Sequence, residues 1–305
     1  LQEGFITKCS LRCVNIDPSN PLNGNIWLLV NYVKRLRGMN RIGEFKEIGE
    51  LLKRKILSCE AVSGIVFMGG LTRGFADRYS DVDVMVFLGK KDESLGERIR
   101  KIGLGENSRS GVDVDLEVHY LGDFVARNWS EIMRWDFSHA SVVYDRGGEV
   151  QRLLRTKLSV PNSFWLRRIV VYGEYVRWYC CSPKEDGETL VDAWVERGDL
   201  TSAHYCLNYA LTLLIRIIFA LNREFLPPPK WEMFYSDALK WLPADYEKLV
   251  HEAMTIRNLS KTDLDRRHRA TRELWLKILP KIREETGLTP KLISKQYVKH
   301  ALKQG

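Results

Sequence analysis

The spacing of apolar residues changes period along this chain. Between Glu44 and Leu57, the residues Phe45, Ile48, Leu51, Leu52 and Ile56 recur at helical intervals and predict an amphipathic helix. A short apolar run, Ile65-Val66-Phe67-Met68, follows and stops at Gly69-Gly70. Alternation then predicts strands over Val82–Leu88 and Val112–Leu121, and Ser141–Tyr144 reads as one more, closed by Asp145-Arg146-Gly147-Gly148. Beyond Pro161 the period is helical throughout. Phe164–Cys181, Ser202–Arg223, Asp245–Leu259 and Leu264–Glu285 read as helices, separated by loops at Ser182–Glu188, Pro227-Pro228-Pro229 and Leu259–Thr262. Upstream of Gly38 the pattern is irregular, with turn signals at Asp17-Pro18 and Asn20-Pro21 and one short helical stretch at Ile26–Leu36.

These patterns place the chain in the α+β class. A mixed β-sheet with flanking helices is expected over 39–158, followed by an all-α helical bundle over 159–288. Residues 1–38 form an extension and 289–305 a basic tail. A length of 305 residues suffices for two cores of ordinary size. The longest apolar stretches, Ile26–Val33 and Leu211–Leu221, fall short of the ~20 residues that a membrane helix needs. The N-terminal Leu1-Gln-Glu-Gly-Phe has no basic region followed by an apolar core, so a cytoplasmic setting is expected. Cys9, Cys13, Cys59, Cys180, Cys181 and Cys206 show no Cys-x-x-Cys spacing, which argues for reduced, mostly buried thiols rather than a zinc site. The net charge of +8 is spread over Lys53-Arg54-Lys55, Arg266-Arg267-His268-Arg269 and the tail from Lys291 to Lys303, as solvated helix faces would have it.

Chemistry concentrates in the stretch from Gly69 to Val84. A strand ends in two glycines, where backbone amides can approach an anion with no Cβ in the way. After Gly70 and ten intervening residues comes a strand that carries Asp81 and Asp83 at i and i+2, on one face, while Val82 and Val84 turn to the core. Two adjacent carboxylates repel unless a cation lies between them, and hard oxygen ligands near a phosphate-binding turn suit magnesium. Asp-x-Asp occurs three times, at Asp81/Asp83, Asp113/Asp115 and Asp263/Asp265. Only the first has the glycine turn upstream, and the third lies in the helical half, where it reads as capping and solvation.

Gly-Gly, ten residues and Asp-Val-Asp-Val resemble the signature of the nucleotidyltransferase superfamily with the DNA polymerase β-type fold. Arg73-Gly74 and Ser80-Asp81 are similar to the flanks seen in its two-domain aminoglycoside and lincosamide nucleotidyltransferases. The resemblance covers about 45 to 150 and extends loosely to Leu221-Asn222-Arg223-Glu224-Phe225, the proline run and Lys230-Trp231. It implies transfer of a nucleoside monophosphate, AMP being the expected one, from a nucleoside triphosphate such as ATP to an acceptor hydroxyl. Two Mg2+ ions are implied, held by Asp81 and Asp83, with Gly69, Gly70, Arg73 and Ser80 at the triphosphate; Lys230 reads equally as a cleft residue near phosphate and as a helix N-terminal anchor. Many members carry Ser where Gly70 stands, so one phosphate-binding hydroxyl is absent here.

The family also needs a third carboxylate from a neighbouring strand. Gly111–Tyr120 offers Asp113, Asp115 and Glu117 on one strand face. Asp115 and Glu117 are the leading candidates, with a slight preference for Glu117 because its longer side chain tolerates a poorer register. The ligand is expected to be whichever residue lies opposite Asp83. Glu174, Asp199, His119, His139 and His204 read as structural or surface groups, and Trp178, Trp194 and Trp231 mainly as core or interface residues. A hydroxylated small molecule is the leading acceptor class. A toxin-like enzyme acting on tRNA or protein, or a non-catalytic antitoxin or regulatory subunit, are the alternatives, the intact Asp81/Asp83 pair counting against the last.

Overall fold

The computed structural model describes residues 40–182 and 187–301. The stretch Ile26–Leu36, Cys9, Cys13 and residues 302–305 of the basic tail lie outside them. In chain order the first part comprises α1 (Ile42–Leu57), β1 (Val62–Phe67), α2 (Gly69–Arg73), β2 (Val82–Leu88), α3 (Glu93–Ser110), β3 (Val114–Tyr120), α4 (Leu121–Ala126), α5 (Glu131–Ser138), β4 (Ser141–Asp145) and α6 (Glu149–Leu158). The second is helical: α7 (Asn162–Val176), a π-helical turn (Arg177–Cys181), α8 (Leu190–Glu196), α9 (Leu200–Leu221), α10 (Pro229–Ser236), α11 (Tyr246–Met254), α12 (Lys261–Thr286) and α13 (Pro290–Ala301). Helices α2, α3, α4, α5, α6, α8, α10 and α13 are additions to the individual elements read from the sequence. In α3 the stripe is thin, with Leu95 and Ile99 buried but glycines at 96 and 103 where larger residues would have marked a face.

The sheet is mixed, in the order β3-β2-β1-β4. β1 pairs antiparallel with β2 and β4, and β2 pairs parallel with β3. Both faces of β2 are covered. Val82, Val84, Val86 and Leu88 join Phe45, Leu52, Ile56 and Ile99 in one core, under α1 and α3. Met85 and Phe87 join Phe124, Trp129, Phe137 and Leu153 on the other side. Asp83 shares the face of Met85 and Phe87, one step before that core begins.

A third core fills the helical part, centred on α9. By length and composition α9 could cross a bilayer, yet 72% of its most apolar window is buried inside the fold. The apolar stretch recognised from Leu211 extends back through Ala203, Cys206, Leu207 and Ala210, and α7, α8 and α12 pack around it. Cys59, Cys180, Cys181 and Cys206 are free and buried.

The two parts are bound together by α5. Trp135 belongs to the core of the helical part. Glu131 accepts hydrogen bonds from Arg168 Nε at 2.8 and 2.9 Å and from the Leu226 backbone N–H at 3.2 Å. With side chains about one-fifth exposed or less, this pair is shielded enough that losing one partner would strand a charge.

Candidate active site

The site is assembled where β1 ends and β2 begins. The antiparallel register sets Phe67 opposite Val84, and the Met68 N–H donates to the Asp83 carbonyl at 3.1 Å. The chain then turns through Gly69, at φ +59°, into α2. A Cβ built on Gly69 would lie 1.5 Å from Asp83 Oδ2, so the carboxylate occupies the space that any other residue would fill. A Cβ on Gly70 would lie 2.5 Å from the Phe75 carbonyl oxygen. The serine that many relatives are expected to carry at that place is therefore excluded here by backbone, not merely absent. Gly74 closes the helix in the left-handed region, at φ +78°.

Between Gly74 and β2, the Asp77–Ser80 turn is held by its own side chains. Ser80 Oγ accepts from the Asp77 N–H at 3.0 Å and donates to Asp77 Oδ1 at 3.2 Å. The hydroxyl expected at the triphosphate is thus engaged in shaping the turn that delivers Asp81.

The parallel register of β2 and β3 decides which acid of β3 meets the pair. Asp83 stands opposite Asp115, and Glu117 stands opposite Met85. Ligand oxygens of Asp81, Asp83 and Asp115 lie within 4.8 Å of one another, the one such metal-competent group among the described residues. Glu117 is turned to His119, with Oε2 and Nε2 2.5 Å apart. The preference for Glu117 over Asp115 is therefore not what the strands assemble: two residues along a strand is about 7 Å, too far for side-chain length to bridge. Asp113 lies 3.4 Å from Asn107 Nδ2 and its carbonyl accepts from the Val82 N–H.

Electrostatics mark the same three groups. Burial, then the neighbouring Asp81 charge, push Asp83 up to about 7; Arg73 opposes this, while Asp115 and Asp136 add to it. Burial, Glu117 and Asp81 likewise raise Asp115. Crowded carboxylates that resist ionisation are what a divalent cation relieves, and an all-oxygen donor set suits Mg2+. The residues present fit the metal that the sequence implied.

Arg73 lies behind the cluster, 8% exposed. Its guanidinium carbon is 4.8 Å from the Trp135 ring centroid and 5.8 Å from that of Tyr235. Asp136, next to Trp135, is raised by burial but held down by the charges of Arg73 and Lys230. Lys230 itself is exposed in the first turn of α10, with Nζ 5.8 Å from the Trp231 ring. His139 is pushed down to about 4, chiefly by burial, and is neutral at pH 7; its Nδ1 donates to the Trp135 carbonyl at 2.8 Å. Trp135, Asp136 and Tyr235 went unnoticed in the sequence. No spacing links α2, α5 and α10, and only folding brings them together.

Residues 46–136 match the family described as the nucleotidyltransferase domain, and that span holds Asp81, Asp83 and Asp115. The chain thus carries a nucleotidyltransferase domain. Among solved structures it is similar to a nucleotidyltransferase-like protein from Exiguobacterium sibiricum, at 12% identity over 78% of this chain and 77% of that one, with a TM-score of 0.37. It is also similar to a toxin–antitoxin MntA–HpeT structure, at 15% identity over 40% of this chain and 93% of that one, with a TM-score of 0.29. No curated protein sequence matches it. Both structural overlaps are loose, and the assignment of this nucleotidyltransferase stands on the matched domain.

The other acids considered in the sequence have ordinary duties in the nucleotidyltransferase. Asp199 caps α9 through the Ser202 N–H at 2.9 Å, and Glu174 accepts from Arg177 Nη1 at 3.1 Å.

Proposed function

We propose that this nucleotidyltransferase moves a nucleoside monophosphate, AMP as the leading candidate, from a Mg2+-bound triphosphate to a hydroxyl of a small acceptor. The observation that carries the proposal is the convergence of Asp81, Asp83 and Asp115 within 4.8 Å beside the Gly69-Gly70 turn. Asp81, Asp83 and Asp115 would hold the metal. When bound, it neutralises charge on the α-phosphate and the leaving pyrophosphate.

The chain's own groups do the rest. The Gly69-Gly70 turn lets the triphosphate approach backbone unhindered. Arg73, in a low-dielectric setting, stabilises charge that grows as the bond to pyrophosphate lengthens. Asp115, at the exposed rim of the cluster, is placed to take the proton of the acceptor hydroxyl as its oxygen bonds to the α-phosphorus and pyrophosphate leaves. Lys230 on α10 and Asp136 on α5 bring one charge of each sign to the same neighbourhood, where the acceptor would enter.

The test is incubation with each α-labelled triphosphate plus Mg2+ and separate pools of small hydroxylated molecules, tRNA and protein. Label in the small-molecule pool, abolished in Asp83→Asn, is the expected result. The net charge of +8 favours RNA as the second acceptor class, and label entering tRNA alone would replace the first reading with it. Label in no fraction would contradict both.

A further inference from the structure

Three elements distant in sequence meet around one guanidinium. Arg73 comes from α2, Trp135 from α5 and Tyr235 from α10 of the helical part. The Trp135 and Tyr235 rings lie 5.1 Å apart, inclined at 65°, and Arg73 is set against both. The Arg73 charge in turn opposes the upward push that burial gives the Tyr235 hydroxyl. One nitrogen is left over: Arg73 Nη1 is buried and has no hydrogen-bond partner. No protein acceptor quenches the charge on that side of the guanidinium. Asp83 and Asp136 both feel the charge of Arg73, which places the open nitrogen's group on the flank of the carboxylate cluster.

We propose that Tyr235 and Trp135 are positioning residues that clamp Arg73, so that its charge is held in place for the phosphates of the nucleotide bound at Asp81, Asp83 and Asp115. The clamp rests on the reading of that site as a triphosphate site. A free arginine side chain carries much rotamer freedom, and stacking on two rings removes it before the ligand arrives. The helical part then acts on nucleotide affinity through Tyr235, rather than serving only as the acceptor's wall. Neutral His139, 5.0 Å from the Trp135 ring, backs the clamp without adding a competing charge.

The experiment is a double-mutant cycle read by calorimetric titration with Mg2+ and the α,β-methylene analogues of the four nucleoside triphosphates, which bind without reacting. Tyr235→Phe keeps the ring and should stay within about threefold of wild type, whereas Tyr235→Leu should weaken binding about tenfold. Arg73→Lys should weaken it at least as much, and Tyr235→Leu in the Arg73→Lys background should cost nothing further, because Tyr235 acts through Arg73. A packing role alone would lower the unfolding temperature of Tyr235→Leu and leave its affinity unchanged, or make the two losses multiply. Either result overturns the clamp. Tyr235→Met takes the same place in the cycle if Tyr235→Leu does not fold. Wild type that binds no Mg2+–nucleotide overturns the triphosphate site and the clamp with it, while wild-type binding with an unaffected Tyr235→Leu overturns the clamp alone.

Discussion

The same three-residue pattern occurs on β2 and at the start of α12, and the two places use it in opposite ways. On β2, Asp81 and Asp83 share a strand face, and no side chain within the cluster neutralises them. Asp83 is held protonated up to about 7 by burial and by its acidic neighbours. On α12, Asp263 and Asp265 point apart. Burial also pushes Asp263 up, but the Arg257 N–H at 2.9 Å and Arg266 Nε at 2.9 Å outweigh it, and its carboxyl lies below the ordinary range. Asp265 only meets Lys261 in solvent, at 3.0 Å. Asp263 is satisfied by the fold and serves stability, while Asp265 is a surface charge. The other pair is crowded with like charge, the state that the proposed metal would relieve.

Breaking each pair should therefore have opposite signatures. Asp81→Asn or Asp83→Asn should cut transfer by about a thousandfold, with the circular dichroism spectrum and unfolding temperature kept or raised. Next in size is the contrast on β3: Asp115→Asn should lose about a hundredfold in kcat, and Glu117→Gln less than about tenfold. Equal and mild losses in both would mean that the third ligand comes from elsewhere. On α12, Asp263→Asn should leave transfer within about twofold but lower the unfolding temperature by about 5 °C in calorimetry, since buried N–H donors lose their acceptor.

A subtler consequence concerns pH. Because the folded-state pKa of Asp83 is raised to about 7 from 3.8, the native metal-free protein holds a proton that the unfolded chain has already released. This contribution is fully present below about pH 4 and is lost as pH rises through about 7, by at most about 1.4 kcal/mol per pH unit. Denaturant titrations of metal-free protein should show that slope in wild type and not in Asp83→Asn, and added Mg2+ should stabilise more at pH 8 than at pH 5. Smallest of all is Asp265→Asn, an exposed pair on a helix surface, which should change neither transfer nor unfolding temperature measurably.

Period and punctuation made much of this legible in advance. The strand face of Asp81 and Asp83 followed from a period of two, and Gly69-Gly70 from the need for backbone close to a charged group. What could not be read was register. Whether Asp115 or Glu117 meets Asp83 depends on how β3 slides along β2, and an alternating strand shows the same face pattern at every second offset. The aromatic clamp was hidden for a different reason: Arg73, Trp135 and Tyr235 are joined by tertiary packing alone. Helix α3 escaped because its buried stripe includes glycines, and α10 because its three prolines read as a loop although Pro229 is its first residue.

The central claim is that Asp81, Asp83 and Asp115 bind a divalent cation together. Mn2+ titration followed by electron paramagnetic resonance tests it most directly, because free Mn2+ gives a six-line spectrum that fades on binding. Wild type in the presence of a non-reacting triphosphate analogue should remove free Mn2+ in proportion to protein, and Asp83→Asn and Asp115→Asn should remove little beyond what the nucleotide binds by itself. Equal uptake by wild type and both variants would contradict the assignment.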